Sequence, residues 1–346
     1  MKFQTVSSPH KLGQTSVSRV MLKVLAALIP GTAVATAFFG WGVISNIVLA
    51  VGFALAAEAA MLLMTQRPVL RSLCDLSAVV TAWLLALALP AYSPFWLIAV
   101  GIIFAIVFAK QLYGGLGYNP FNPAMVGYVV LLISFPVYMT QWPEPTLGQP
   151  PLSIAETLQW VFGQRSDSTL DALTGATALD YSKIQLGQGA TLNQIQSHAA
   201  FGHLGATAWE WIAVAYALGG VALIFLRVMP WHAPVAMLAT LFGLASVFQL
   251  FDASQFHGGI FHSLSGGVML GAFFIVTDPV SGCTSNRGRL YFGAGVGALV
   301  FIIRTWGGYP DGVAFAVLLM NMAAPMIDYY TKTPVFGTQT KGGERG

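Results

Sequence analysis

Apolar positions along this chain do not alternate; they run on for about fifteen to twenty residues and then stop at a short polar corner. A run of that length crosses the hydrocarbon core of a bilayer as a helix, because every backbone N–H and C=O must then be satisfied inside the segment. The pattern predicts spans over about 20–39, 43–64, 73–89 and 95–109, then a fifth opened by 114–123 and ending near 138. After a long polar interval it predicts 211–226, 233–251, 262–276, a ninth that follows Arg289 and ends near 303, and a tenth over 312–327. The expected fold class is an all-α polytopic integral membrane protein with ten transmembrane helices. It divides into an N-terminal segment 1–19, a first five-helix unit 20–138, a polar segment 139–210 between helices five and six, a second five-helix unit 211–330, and a tail 331–346.

Composition strengthens the membrane reading. Of 346 residues, 56% are hydrophobic and 8% charged, against about 25% charged in a soluble domain. The net charge of +3 is small and dispersed, which gives no footing for nucleic acid. Cys74 and Cys283 fit neither a disulfide framework nor a metal site, which would need more ligands at close spacing. The N-terminus is polar through Ser18 and the first apolar run is span-length, so no cleavable leader is expected.

Charge placement orients the spans, since Lys and Arg collect on the cytoplasmic side. With both termini inside, all of the sixteen Lys and Arg but three (Arg165, Lys183 and Arg304) fall on or beside cytoplasmic segments. Segment 139–210 is then extracytoplasmic, with six carboxylates against two basic residues.

A repeat is visible as well. Ser72-Leu73 leads to Lys110, Gly114-Gly115, Tyr118 and Pro120, and Ser263-Leu264 leads to Arg304, Gly307-Gly308 and Tyr309-Pro310. The separations from Ser72 to Gly114 and from Ser263 to Gly307 are 42 and 44 residues. Five spans per half is odd, so the halves would enter the membrane in opposite directions, the inverted plan of many transporters. Small residues recur in any membrane helix, so chance similarity stays open beside the repeat.

Within the polar segment lies Asp171-Ala172-Leu173-Thr174-Gly175-Ala176-Thr177. A chain of this length would show Asp, two free positions, Ser/Thr, Gly, Ala, Ser/Thr by chance about once or twice in a thousand sequences. Its bland reading is a capped turn. Against that, a long hydrophilic insertion is usually functional or disordered.

This motif, with Ser8-Pro9-His10, Ile29-Pro30-Gly31, Gly117-Tyr118-Asn119-Pro120-Phe121-Asn122-Pro123-Ala124 and Thr277-Asp278-Pro279, resembles the family of membrane subunits that includes RnfD of the Rnf complexes and NqrB of the sodium-pumping NADH:quinone reductases. The resemblance covers essentially the whole chain. It implies a subunit of a multisubunit ion-translocating oxidoreductase, inactive alone, that couples NADH/ferredoxin electron transfer to Na+ or H+ translocation in a bacterial inner membrane. It further implies FMN in phosphoester linkage to Thr177, placed there from FAD by a flavin transferase, with Asp171, Thr174, Gly175 and Ala176 as the surrounding motif. Some members of the family also hold a second, non-covalent flavin, riboflavin. Asn119 and Asn122 are candidate contacts for it, since amides donate and accept at ring edges; helix capping beside Pro120 and Pro123 is the even alternative.

No nucleotide-binding glycine fingerprint, P-loop or cysteine cluster is present, so NADH and ferredoxin fall to partner subunits with flavin and iron–sulfur centres. Ionisable groups in or beside spans are candidates for the ion path: Glu58, Asp75, Asp278 and Arg304. Asp75 has Arg71 four residues back as an alternative ion-pair partner, and Asp278 before Pro279 is also a turn former. His257 and His262 with Asp252 form a candidate proton-titrating group. Glycines 267, 271, 293, 295 and 297 read as close helix packing. A channel- or transporter-like protein without redox cofactor, and a scaffold subunit, are the competing classes.

Overall fold

The computed structural model describes residues 16–146, 152–163, 174–198 and 200–331. Each of the ten apolar runs carries helix. The first half holds α1 (Val17–Phe39), α2 (Gly42–Met64), the short α3 (Val69–Leu73), α4 (Ser77–Ala88), α5 (Phe95–Ile102) continuing as a π-helix (Ile103–Gln111), and α6 (Pro123–Ser134). Then come α7 (Pro136–Thr140), β1 (Trp142–Pro143), α8 (Ile154–Val161), β2 (Thr174–Gly175), α9 (Ala178–Gly187) and α10 (Leu192–Ile195). The second half holds α11 (Trp209–Phe225), α12 (His232–Phe251), α13 (Gly259–Leu264), α14 (Val268–Leu270) running into a second π-helix (Gly271–Ile275), α15 (Asn286–Trp306) and α16 (Val313–Thr331). Five of these, α1, α2, α12, α15 and α16, are long and apolar enough to cross a membrane; α4, α5 with its π extension, α6 and α11 are shorter apolar helices.

Lipid gives little drive for apolar faces to associate, so packing depends on how closely backbones approach. Small residues supply that approach. A Cβ at Gly293 or Gly297 of α15 would collide with the Ala233 or Met237 carbonyl of α12, and one at Gly219 of α11 would collide with the Ala27 carbonyl of α1. Accordingly α12 packs on α15 and α1 on α11, while α6 meets α16, so the two halves interlock around Leu28, Leu85, Met237 and Val300.

Three elements differ from the sequence expectation, each for a local reason. The fifth span ends at Ser134 because Pro136 brings no N–H and disfavours helix at the residue before it; the chain restarts as α7. The helix of the third span, α4, begins at Ser77, after a turn through Leu76 at φ +64, so Asp75 sits in that turn and not inside the helix. The eighth run is broken at residues 265–267.

That break leaves backbone groups that a helix would have satisfied, and a buried guanidinium and a half-buried carboxylate satisfy them instead. The Arg304 guanidinium donates to the carbonyls of His262 (2.6 Å) and Ser265 (2.8 Å), and the Asp311 carboxylate accepts from Gly267 N (2.8 Å). Gly266 turns the corner at φ +66, where a Cβ would lie 2.6 Å from Asp311 Oδ2.

Candidate functional site

Within the polar segment β1 pairs antiparallel with β2, Trp142 opposite Gly175 and Pro143 opposite Thr174, and Trp142 packs on Phe39 of α1 and Trp209 of α11. Gly175 lets the Glu144 side chain lie close against the ribbon, since a Cβ there would approach Glu144 to 2.8 Å and displace it. Ala176 is exposed, and Thr177 follows as the N-cap of α9 with extended backbone, φ −64 and ψ 158. Asp171 lies outside the described residues.

Thr177 Oγ accepts from Asp180 N (3.2 Å) and donates to the Asp180 carboxylate (2.6 Å). A threonine cap with an acid three residues on is an ordinary helix start. Its setting is not ordinary. Thr177 lines a cleft enclosing about 1330 Å³ measured out to its open mouth, walled by Phe39, Tyr128, Trp142 and Trp209. Three of these rings form a mutual cluster: Trp142 to Trp209 is 4.9 Å between centroids, Phe39 to Trp209 5.5 Å and Phe39 to Trp142 5.9 Å.

Charge gathers beside the hydroxyl. Asp180 and Asp311 also line the cleft. Lys183, one turn after Asp180, donates to the carbonyls of Ile303 (3.2 Å), Arg304 (3.2 Å) and Tyr309 (2.6 Å), closing the end of α15. Arg304 is paired with Asp311 at 3.2 Å. Burial raises the Asp180 carboxyl above its usual range and the Asp311 charge adds to this, with the Thr177 hydrogen bond and Lys183 opposing. Burial likewise lowers Lys183.

A phosphate-linked flavin at Thr177 would meet walls that are partly aromatic and largely aliphatic. The Ala178 and Leu179 N–H groups at the start of α9 lack intrahelical partners and could face the phosphate, while Asp180 N is already bonded to Thr177 Oγ and the charged groups lining the cleft are the carboxylates of Asp180 and Asp311.

A second cleft, about 1350 Å³ to its mouth, opens at the other end of the bundle, near the N-terminal ends of α1 and α4. Asn119, Asn122, Lys110 and Asp278 line it. Asn122 caps α6 by accepting from Met125 N (3.2 Å), and its own N–H donates to Asn321 (3.1 Å); Asn119 donates to the Phe121 carbonyl (3.0 Å). Both asparagines therefore have structural bonds and also face the cleft. Asp278 forms a turn through Val280 N (3.1 Å) and Ser281 Oγ (2.7 Å). Residues of α6 and of the second π-helix line both clefts and separate them.

Glu58 is buried within α2 and meets Lys110 Nζ at 2.7 Å, each side chain 2% exposed. Gln111 donates to the same oxygen (2.6 Å) and Lys110 also donates to Ser77 Oγ (2.7 Å), while Glu58 Oε2 is buried without a hydrogen-bond partner among the described residues. Lys110 and Gln111 are adjacent in sequence, and the wider turn of the π-helix lets both reach one carboxylate. Asp75 accepts from Ser77 N (2.7 Å) and Ser77 Oγ (2.6 Å), so it caps a helix rather than pairing with Arg71. Asp252 is exposed and bonded to Ser254, whereas His257 and His262, which sequence proximity grouped with it, are buried. Burial pushes the His257 imidazole down to about 4, which keeps it neutral at pH 7.

Sequence reasoning missed Asp180, Asp311 and the Lys110 partner of Glu58. Thr-x-x-Asp across 177–180 is a capping pattern that would have found Asp180; no local signal marks the other two.

Over residues 4–337 the chain matches the model of a family described as NQR2, RnfD, RnfE. It is 49% identical over 347 residues to a protein of Vibrio cholerae serotype O1, covering 97% of this chain and 100% of that one. It is 52% identical over 339 residues to one from Ectopseudomonas mendocina (97% and 96% covered) and 51% over 342 residues to one from Pseudomonas aeruginosa (98% and 97%). All three carry the name of one and the same component of an ion-translocating oxidoreductase complex.

Proposed function

The chain belongs to the NQR2, RnfD, RnfE family, and we propose that it is the membrane subunit of an ion-translocating oxidoreductase complex with FMN esterified to Thr177. The observation that carries this reading is the placement of the Thr177 oxygen on the wall of an aromatic cleft, in a motif that recurs rarely by chance. FMN supplies one- and two-electron redox chemistry there; the protein supplies position and electrostatics. Thr177 anchors the phosphate at the start of α9, and the Phe39, Trp142 and Trp209 rings exclude water from the cleft walls. Asn119 and Asn122, on the second cleft, are assigned to a second flavin, riboflavin.

In this reading ten spans form two inverted halves, with both termini cytoplasmic and 139–210 periplasmic. Two observations support the plan. Lys110 and Arg304, matched positions of the repeat, are both buried and both paired with a carboxylate. The two clefts also open at opposite ends of α1. Other subunits of the complex deliver electrons, and a flavin transferase matures the site.

The ion path runs past Glu58, Asp75, Asp278 and Arg304, with Glu58 foremost because it is an acid buried in a helix of span length. Charge added to a redox centre beside low dielectric favours uptake of a cation nearby, which couples the two processes. Glu58→Gln is expected to slow ion-coupled electron flow while leaving the flavin attached. Reconstituted vesicles check this, and unchanged ion transport removes Glu58 from the path. The reading as a whole is tested by ultraviolet illumination of an SDS gel. A covalent flavin survives denaturation and gives a fluorescent band, whereas a channel or a scaffold without cofactor gives a dark one.

A further inference from the structure

Resting on the reading of Glu58 as the foremost group of the ion path, we propose that Glu58, Ser77 and Gln111 form a site for one monovalent metal cation such as Na+. The Lys110 ammonium closes that site here by standing where the cation binds. Lys110 Nζ is 2.7 Å from Glu58 Oε1 and 2.7 Å from Ser77 Oγ, both oxygen acceptors of the kind a hard cation takes as ligands. Ser77 Oγ gives its own proton to Asp75 Oδ1 (2.6 Å), so it turns lone pairs towards the ammonium. The Gln111 amide bonds Glu58 Oε1 through its nitrogen (2.6 Å) and, turned over, presents its oxygen there instead.

The cluster is more than a satisfied ion pair. Glu58 Oε2 is buried without a hydrogen-bond partner among the described residues, a costly arrangement for a carboxylate. A metal cation can engage both oxygens of one carboxylate, whereas the ammonium bonds only Oε1. Two acids, Glu58 directly and Asp75 through Ser77, share the one ammonium. A monovalent cation in its place leaves the charge inside the site as it is, and a divalent one does not. There is also a way in, since Ser77 and Lys110 line the second cleft and Glu58 lies behind them.

Lysine suits a removable plug, being a point charge on a flexible stem. Arg304, at the matched position of the repeat, is fixed by the His262 and Ser265 carbonyls and by Asp311. The Lys110 side chain withdraws into the cleft that it already lines. Asp278 offers it a carboxylate there, and Arg289, the other cation on that wall, is held on the Cys283 carbonyl.

Displacement of the plug is read on the unaltered chain. The full chain in mixed micelles is treated with a water-soluble acetylating reagent in NaCl or in choline chloride of equal ionic strength, and each lysine is followed by peptide mass spectrometry. Lys110 is expected to react several-fold faster in NaCl, while the exposed Lys23 reacts at one rate in both. In Glu58→Gln the charged anchor is gone, and Lys110 is expected to react at one rate in both salts. Equal Lys110 rates in the two salts in the unaltered chain overturn the proposal. So does a Na+ effect that persists in Glu58→Gln, because it places the cation elsewhere. Lys110→Met leaves the site open: its unfolding midpoint is expected to rise saturably with NaCl and not with choline chloride, and the rise to vanish when Glu58→Met is added. A midpoint that only acid raises gives Glu58 a proton in place of a metal cation and also overturns the proposal. Ion transport by Glu58→Gln vesicles judges the path reading separately, since unchanged transport there leaves a cation site that lies off the path.

Discussion

Replacing Thr177 with valine is expected to give a folded subunit whose denatured band is dark under ultraviolet light, whereas Thr177→Ser keeps the fluorescence. Valine matches threonine in shape and lacks only the oxygen, so the cleft walls have no steric reason to move. The substitution does remove an N-cap: Thr177 Oγ no longer accepts from Asp180 N. That loss costs about 1 kcal/mol, too little to unfold a bundle anchored by helices on every side. The dark band would then report absence of the ester and not absence of the protein. Serine retains the oxygen and the cap with one methyl fewer. A fluorescent valine variant would move the attachment to another residue.

The second large effect lies at the opposite end of the molecule. Lys110→Met is expected to destabilise the protein by about 3–5 kcal/mol, the usual consequence of stripping one partner from a buried ion pair. Among the described residues Glu58 would retain only Gln111 as a donor, and its second oxygen has no hydrogen-bond partner there. The double variant Lys110→Met with Glu58→Met removes the stranded charge and fills the space with apolar atoms. It is expected to recover to within about 1–2 kcal/mol of the parent, since apolar replacement of a whole buried pair is often neutral. Ser77 and Gln111 then lose a partner, which accounts for a residual deficit. Unfolding midpoints in mixed micelles measure the cycle. Equal losses in the single and double variants would show that the pair does not carry this energy.

Much of the fold was legible because membrane helices announce themselves by uninterrupted apolar length, a purely local property. The packing role of Gly293, Gly295 and Gly297 was legible for the same reason: small residues in an apolar helix permit close approach, and α12 and α16 occupy that space. The motif around Thr177 could be singled out because it is contiguous in sequence, and the structure places Thr177 as the N-cap of α9 on a cleft wall.

What sequence did not disclose depends on distances across the chain. Glu58 and Lys110 are 52 residues apart, and Lys110 by itself looks like a cation ending a span. The aromatic wall draws Phe39 from α1, Trp142 from β1 and Trp209 from α11, three positions that no periodicity connects. The interruption at residues 265–267 was hidden inside an apolar run, because its stability comes from Arg304 and Asp311 on distant elements. Asp75 shows the reverse error. Arg71 is in the right helical register for an ion pair, but the chain turns before α4 and the carboxylate bonds Ser77 instead.

The proposed function depends on one oxygen, at position 177, that joins this chain to a redox ring. Mass spectrometry of peptides from the natively purified complex reads that bond itself. The peptide spanning Thr177 is expected to carry the mass of FMN less one water, with fragment ions placing it on that residue. The same peptide found only at its unmodified mass would refute the assignment.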